Sequence, residues 1–323
     1  MQDYTRERTD LPVYSRIDKT GVWRLFVTRT LESGQNMVIV QYNPTGLDEA
    51  TIEKVHADLV ERFSKGTPTV HSLYIQQSDS KSVDLNPTIP FQLIYGVPHI
   101  HENLLNLQFR ISPSSFFQAN TPAAEKLYTI IRRWAMGQAE PAPSDAVLLD
   151  LCCGTGTIGL SMASAFRKVV GIETIPAAIE DAQINAAVNK VENAEFFVGR
   201  VEDTLPKQLE RLNQEALERG QPTSVVAVLD PPRAGLDRSA IQAVRACRSI
   251  NRVVFVACDF AASLQNVVDL CRPTTNKFAA HPFRPVQAVP VDLFPDTKHC
   301  ELVIELVRDY IPAPARTVPA ALP

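Results

Sequence analysis

Cysteine is scarce and unevenly placed. The 323 residues hold six, at positions 152, 153, 247, 258, 271 and 300, and none precedes 152. No two form Cys-x-x-Cys, so the ligand spacing of a zinc ribbon or an iron–sulfur cluster is missing, and no metal is expected. Six unpatterned cysteines fit free thiols in a reducing compartment. No run of 18 apolar residues occurs, which excludes a spanning helix by this measure. Residues Met1 to Asp10 are polar and mixed in charge, without the apolar core of a secretory signal, so a cytoplasmic or nuclear location is expected. Positive charge is not in excess either. Lys and Arg number 32 against 36 Asp and Glu, for a net charge of −4, which argues against a strongly basic, autonomous nucleic-acid binder. A local basic surface stays open. From Arg233 to Arg252 five arginines (Arg233, Arg238, Arg245, Arg248, Arg252) stand against one acid, Asp237, which reads either as an RNA-facing surface or as a solvated helix face.

What is present suits a globular protein. Hydrophobic residues make up 45% and charged residues 21%, enough to bury sizeable cores, and the length suggests two domains. Residues 1–112 read as a small α+β domain. Strands are expected at Val22–Thr28, Met37–Tyr42, Val70–Gln76, Phe91–Tyr95 and Leu104–Ile111, with a helix over Asp48–Phe63 whose Ile52, Val55, Leu59 and Phe63 share a face. Residues 113–310 read differently. A helix starts after Thr121, which can cap it, with Pro122 in its first turn. Pro141–Ser144 is a linker. Strands ending near Leu151, Ile172, Val198, Leu229 and Ala257 then alternate with helices over Ala177–Asn189, Leu205–Glu218 and Ser239–Cys247. That alternation implies an α/β fold with a doubly wound, mostly parallel sheet. Two last strands, near Phe278 and over Leu302–Leu306, suggest a terminal antiparallel hairpin on the sheet edge. Residues 311–323 are proline-rich and read as a disordered tail.

In such sheets chemistry collects at the carboxyl ends of the strands. The first end runs Leu148-Leu149-Asp150-Leu151-Cys152-Cys153-Gly154-Thr155-Gly156-Thr157-Ile158-Gly159, a strand entering a helix through a glycine turn. The second is Val169-Val170-Gly171-Ile172-Glu173, whose acid can bind ribose hydroxyls. Gly-x-Gly-x-x-Gly alone also marks dinucleotide-binding units. The preceding Asp150 and the lack of a basic phosphate contact favour S-adenosyl-L-methionine, which carries no phosphate. The third end, Val228-Leu229-Asp230-Pro231-Pro232-Arg233, is either a stiff loop that holds a carboxylate against a planar substrate or a plain strand-ending turn. The fourth, Val254-Phe255-Val256-Ala257-Cys258-Asp259, places a cysteine before a helix, whose amides would lower its pKa. Cys258 is the best nucleophile candidate of the six, against the ordinary reading of a core thiol. Glu301, at the opening of the last strand, is a candidate general base or an exposed edge-strand glutamate.

Taken in order, Phe116-Phe117-Gln118-Ala119-Asn120, Asp150 to Gly156, Asp230-Pro231-Pro232-Arg233, Cys258 and His299-Cys300-Glu301 resemble the RNA uracil-5-methyltransferase family. Phe283-Arg284-Pro285-Val286 and the Asp292–Glu301 run resemble its eukaryotic tRNA branch, which makes 5-methyluridine at position 54 of the T loop. The likeness covers about residues 90–307. It implies a class I S-adenosyl-L-methionine-dependent methyltransferase fold, a tRNA partner and a covalent mechanism. Cys258 would add to uracil carbon 6, and Glu301 would remove the proton from carbon 5. Gln118, Gly154, Gly156, Glu173 and Asp230 would hold the cofactor, and Arg233 would support its loop or a phosphate. The residues before 113 would contact RNA.

Two departures stand out. The family usually has Asn-Pro after the nucleophile, whereas this chain has Asp259-Phe260. The added carboxylate is expected to raise the thiol pKa, and the lost proline to loosen the turn. Many relatives also carry an RNA-binding module ahead of the central domain, and none is read here, which leaves a shortened form open. Two other readings stay open: a methyltransferase for another base or for protein, and a non-catalytic tRNA-folding helper.

Overall fold

The computed structural model describes residues 1–66, 70–137, 145–221 and 224–308. The Pro141–Ser144 linker and the proline-rich tail lie outside the described residues. Contacts divide the chain into two compact units. The first comprises Met1–Glu125, Gly154–Ser161 and Ile175–Glu192, and the second the described residues of Lys126–Cys153, Met162–Thr174 and Asn193–Pro323.

The first unit opens with α1 (Gln2–Glu7), β1 (Trp23–Thr30), β2 (Asn36–Tyr42), α2 (Glu49–Ser64), β3 (Ser72–Gln77) and β4 (Gln92–Gly96). The four strands lie in the order β1-β2-β3-β4, and only β2 and β3 run parallel. A parallel pair needs a crossover, and α2 supplies it. Asp48 caps that helix by accepting from the Thr51 amide at 2.8 Å, and Val55 and Leu59 turn inward onto Trp23, Tyr42 and Ile75. The single strand expected over Leu104–Ile111 is instead a hairpin, β5 (Ile100–Leu104) and β6 (Leu107–Ile111). Leu105 and Asn106 make its turn with φ of 51° and 64°, a conformation the apolar run Leu104-Leu105 conceals.

The helix expected after Thr121 is α3 (Thr121–Met136). Its cap is Asn120 rather than Thr121: the Asn120 Oδ1 accepts from the Ala123 amide at 3.2 Å. There follow β7 (Val147–Leu151), α4 (Thr157–Met162), β8 (Lys168–Glu173), α5 (Pro176–Val188), β9 (Ala194–Val198), α6 (Val201–Arg219), β10 (Val225–Leu229), α7 (Arg238–Ala246), β11 (Ile250–Ala257), α8 (Phe260–Cys271), β12 (Arg284–Val291) and β13 (Glu301–Val307). The second unit is built on a seven-stranded sheet in the order β12-β13-β11-β10-β7-β8-β9. The five strands from β11 to β9 are parallel, and β13 and β12 close the other edge antiparallel. This is the expected mostly parallel sheet with a terminal hairpin. Every residue of β7 and of β10 is buried, so both faces of the central strands are covered, which is why these segments read as unbroken apolar runs.

The penultimate strand lies at Arg284–Val291, not near Phe278. Pro285 and Pro290 obscure it in the sequence, yet β12 is the sheet edge, where proline is tolerated. Phe278 is a buried loop residue packed into the core of the second unit.

The arginine-rich stretch is not one surface. Arg233, Arg238 and Arg248 are exposed, while Arg252 pairs with Glu305. Arg245 is buried on α7 and donates to the carbonyls of Leu270 at 2.6 Å, Arg272 at 2.8 Å and Ala280 at 3.1 Å. It therefore ties the end of α8 and the following loop to α7 and does not face RNA. Arg245→Ala is expected to cost about 3 kcal/mol or more in urea unfolding, because buried carbonyls lose their donors. Arg248→Ala, on the surface, should stay within about 0.5 kcal/mol of the parent.

Candidate active site

In the second unit the strand order reverses between β7 and β10: the chain leaves β7 toward β8 and β9, then returns to β10 and continues to β11. Such switch points open a crevice at the carboxyl ends of the strands. Register decides which side chains meet there. Leu151 pairs with Ile172 on one side and Leu229 on the other. The amides of Cys152 and Cys153 donate to the Ile172 carbonyl at 2.9 and 3.1 Å, and the Asp230 amide donates to the Leu151 carbonyl at 3.3 Å. Cys152 takes φ of 67° to leave the strand. Burial pushes its thiol up, and the charges of Glu173, Asp230 and Asp150 add to that, so three acids from β7, β8 and the end of β10 act on one thiol.

The antiparallel ladder of β11 and β13 ends at the pair Ala257–Leu302. One step further along the same register stand Cys258 and Glu301. Cys258 is half-buried; Glu301 is only 3% exposed, and its Oε2 has no hydrogen-bond partner among the described residues. β13 lies between β11 and β12, so the reading of Glu301 as an exposed edge-strand glutamate does not hold. Burial, reinforced by the Asp230 charge, raises the Glu301 carboxyl to about 7. Burial raises Asp230 to about 6. The Cys258 thiol is pushed up by burial first, then by Glu301 and Asp230, while the Arg233 charge draws it down. A thiol, two carboxyls and a guanidinium thus share one electrostatic neighbourhood. A carboxyl near 7 can take up and return a proton at neutral pH, and the thiol ionises more readily when a neighbouring carboxyl is protonated.

Two expectations need correction. The helix amides do not leave Cys258 with a lowered pKa, because burial and two carboxylates outweigh them. The acids that raise it are Glu301 and Asp230 rather than the adjacent Asp259. The Asp259 carboxylate caps α8, accepting from the Ala262 amide at 3.1 Å, and Phe260 opens the helix and packs on the core. The turn after the nucleophile candidate is therefore closed by a cap rather than loosened. Arg233, left open between loop support and phosphate contact, acts on the charge of Cys258. No spacing in the sequence links those two residues.

The residues expected to hold a cofactor fall in both units. Glu173 ends β8, and its Oε1 accepts from the Thr174 amide at 2.7 Å and hydroxyl at 2.9 Å. In the first unit Gly154 and Gly156 take φ of 54° and 79°. A Cβ at Gly154 would meet nothing within 4 Å, so the space beside it is empty. Thr155 between them is buried, and its Oγ1 has no hydrogen-bond partner among the described residues. Gln118 is buried and lines a cleft of 300 Å³ with Thr28, Thr30, Leu31, Phe116 and Phe117, all within the first unit. Among the described residues no three His, Cys, Asp or Glu side chains are grouped to hold a metal ion, and no helix is long and apolar enough to cross a membrane.

Comparison with known proteins gives concordant results. The family model described as tRNA (Uracil-5-)-methyltransferase matches residues 95–309. The chain is 40% identical over 306 residues to human tRNA (uracil-5-)-methyltransferase homolog A, covering 94% of this chain and 47% of that protein. It is 43% identical over 294 residues to the mouse homolog B, covering 89% of this chain and 57% of that protein. The chain thus spans about half the length of the curated relatives it matches. Among solved structures, the Pyrococcus abyssi tRNA (uracil-54, C5)-methyltransferase in complex with S-adenosyl-L-homocysteine superposes with a TM-score of 0.62 at 24% identity, covering 95% of this chain and 65% of that one. That likeness shows a shared fold.

The Glu301 carboxyl yields a sign that can be measured. Its folded value of about 7 lies above the ordinary 4.5, so the folded state disfavours the ionised form, and stability falls as pH rises from about 4.5 through 7. Glu301→Gln removes that penalty. It is expected to stabilise the chain by about 1–3 kcal/mol in urea unfolding at pH 8, with the gain shrinking toward zero by about pH 5. An equal gain at both pH values would show that Glu301 is not the group titrating.

Proposed function

The chain belongs to the tRNA (uracil-5-)-methyltransferase family, and from that premise we propose that it methylates carbon 5 of a tRNA uridine. The observation that carries this reading is the register that sets Cys258 beside Glu301, with the charges of Asp230 and Arg233 acting on the same thiol. A family relation alone does not require a nucleophile and a proton acceptor to meet; this reaction does.

S-adenosyl-L-methionine, when bound, supplies an electrophilic methyl group. The residues present fit it: the space a side chain would take at Gly154 is empty, the Thr155 hydroxyl is buried without a partner among the described residues, and Glu173 places a carboxylate at the end of β8. In this proposal Glu173 binds ribose hydroxyls, Gly154 and Gly156 admit the ligand, and Gln118 and Asp230 complete its contacts.

Uracil carbon 5 is a weak nucleophile. The Cys258 thiolate bonds to carbon 6 and converts the ring to an enolate, which makes carbon 5 nucleophilic. After methylation Glu301 takes the proton from carbon 5, the bond between carbon 6 and sulfur breaks, and the double bond between carbons 5 and 6 returns. A Glu301 carboxylate raised toward neutrality by burial is a stronger base than an exposed one. Arg233 offsets part of the carboxylate charge that opposes ionisation of Cys258. The target base leaves its stack to be reached. Position 54 of the T loop is proposed on the strength of the Phe283–Val286 and Asp292–Glu301 runs. Exposed Arg233, Arg238 and Arg248 and the residues before 113 are the proposed RNA contacts.

Transfer RNA carrying 5-fluorouridine tests the chemistry, because fluorine at carbon 5 leaves no proton to remove. The parent chain with S-adenosyl-L-methionine should accumulate a covalent RNA complex, and Cys258→Ala should form none while still binding the cofactor. On ordinary tRNA, Glu301→Gln should methylate and then stall with product attached. Trapping by Cys258→Ala, or rapid turnover by Glu301→Gln, would remove the assigned roles.

A further inference from the structure

Helix α5 and its C-terminal cap carry three polar residues at four-residue spacing, Asp181 and Asn185 on the helix and Asn189 at the cap, and each binds strand β6 or the loop that follows it. Asn189 Oδ1 accepts from the Gln108 amide at 2.8 Å, and its Nδ2 donates to the Gln108 carbonyl at 2.7 Å. Asn185 Oδ1 accepts from the Arg110 amide at 2.7 Å. Asp181 Oδ1 accepts from Ser112 Oγ at 2.9 Å and Arg110 Nε at 2.7 Å. Four residues of helix rise about 6 Å and two residues of strand about 6.8 Å, so the two rows stay in step over three rungs. β5 pairs with one edge of β6, and α5 side chains satisfy the other. Asp181 and Asn185 are 1% and 0% exposed, and groups so buried persist only when hydrogen-bonded.

The rungs do not all end at the strand. Asn185 Nδ2 donates to the carbonyl of Thr155, inside the glycine turn, at 3.1 Å. Asp181 Oδ2 accepts from Ser115 Oγ at 2.5 Å, and Ser115 Oγ in turn accepts from the Ser112 amide at 3.0 Å. That cinches the loop leading directly into Phe116, Phe117 and Gln118. From its other side Arg29 on β1 donates to the carbonyls of Ser115 and, at 3.0 Å, Pro113. All of these residues belong to the first unit.

We propose that Asp181 and Asn185 are positioning residues for the cofactor. Through one helix they hold the glycine turn and the Gln118 loop at a fixed spacing, so that this binding surface is formed before the ligand arrives. The inference rests on the methyltransferase reading. It gives the two residues a role that Asn189, on the same stripe but bonded to Gln108 and to its own helix at the Asn185 carbonyl, lacks.

The test compares Asn185→Ala, Asn185→Asp and Asn189→Ala. Asn185→Asp keeps the acceptor for Arg110 and replaces the donor to Thr155 with a buried carboxylate oxygen that repels its carbonyl, with little change in shape, so it serves if the alanine variant does not fold. Titration with S-adenosyl-L-homocysteine by calorimetry, well below each melting temperature, should show at least tenfold weaker binding for both Asn185 variants and a change within twofold for Asn189→Ala. Hydrogen exchange of the ligand-free chains should rise over residues 154–160 in the Asn185 variants but not in Asn189→Ala. Parent-like affinity in Asn185→Asp, or equal weakening in Asn189→Ala, would overturn the positioning role while leaving the methyltransferase reading intact. A parent chain that binds no S-adenosyl-L-homocysteine would overturn the cofactor reading itself and the role with it.

Discussion

The antiparallel pairing of β13 with β11 is the constraint on which the geometry of the candidate site depends. At the edge that holds the site, a parallel sheet brings together only the carboxyl ends of its strands. β13 runs the other way, so its amino end reaches the same edge, and the register that stops at Ala257–Leu302 sets Glu301 next to Cys258. Neither residue reaches that place by local preference. The hairpin with β12 holds β13 inside the sheet, where Glu301 is buried. One further edge strand, rich in proline, thereby turns a glutamate that could sit in solvent into an acid shifted toward neutrality.

Packing sustains this arrangement against an electrostatic cost. Asp150, Glu173, Asp230 and Glu301 all lie at one end of the second unit, and burial raises Asp230 and Glu301. Like charges in a desolvated crevice favour unfolding, so the core beneath must compensate. It does so with fully covered strands, Val147–Leu151 and Val225–Leu229 among them, and with Arg245, which spends its guanidinium on three carbonyls. The same burial that costs stability gives Glu301 its basicity and leaves its Oε2 free of partners among the described residues. In the first unit the order is reversed. There Asp181 and Asn185 are buried but fully engaged, bonded to Arg110, Ser112, Ser115 and Thr155.

Much of the fold was legible because two periodicities carry it. Covered parallel strands read as short apolar runs, and α2 and α7 show one apolar stripe each. Misreadings occurred where a residue's usual preference was outvoted. Leu105 and Asn106 turn a hairpin within an apolar run, Pro285 and Pro290 sit in a strand, and Asn120 rather than Thr121 caps α3. Arg245 is the sharpest case. Its sequence neighbours are arginines and its charge suggested RNA, yet three backbone carbonyls claim it in the interior.

The sequence by itself determined the residue types at the strand ends, Asp150, Glu173, Asp230, Cys258 and Glu301, and the alternation that brings the first four to one edge. Family likeness could be read from the same motifs. The tertiary structure alone decided their electrical state. Cys258 was expected to have a lowered pKa from its place before a helix, but burial and the carboxylates of Glu301 and Asp230 raise it, while Asp259 turns to cap α8. It also revealed the Asp181–Asn185–Asn189 stripe, whose meaning lies in strand β6, far away in the chain. The physical reason is common to both. Periodicity and turn chemistry act between neighbours in sequence, whereas desolvation and charge act between neighbours in space.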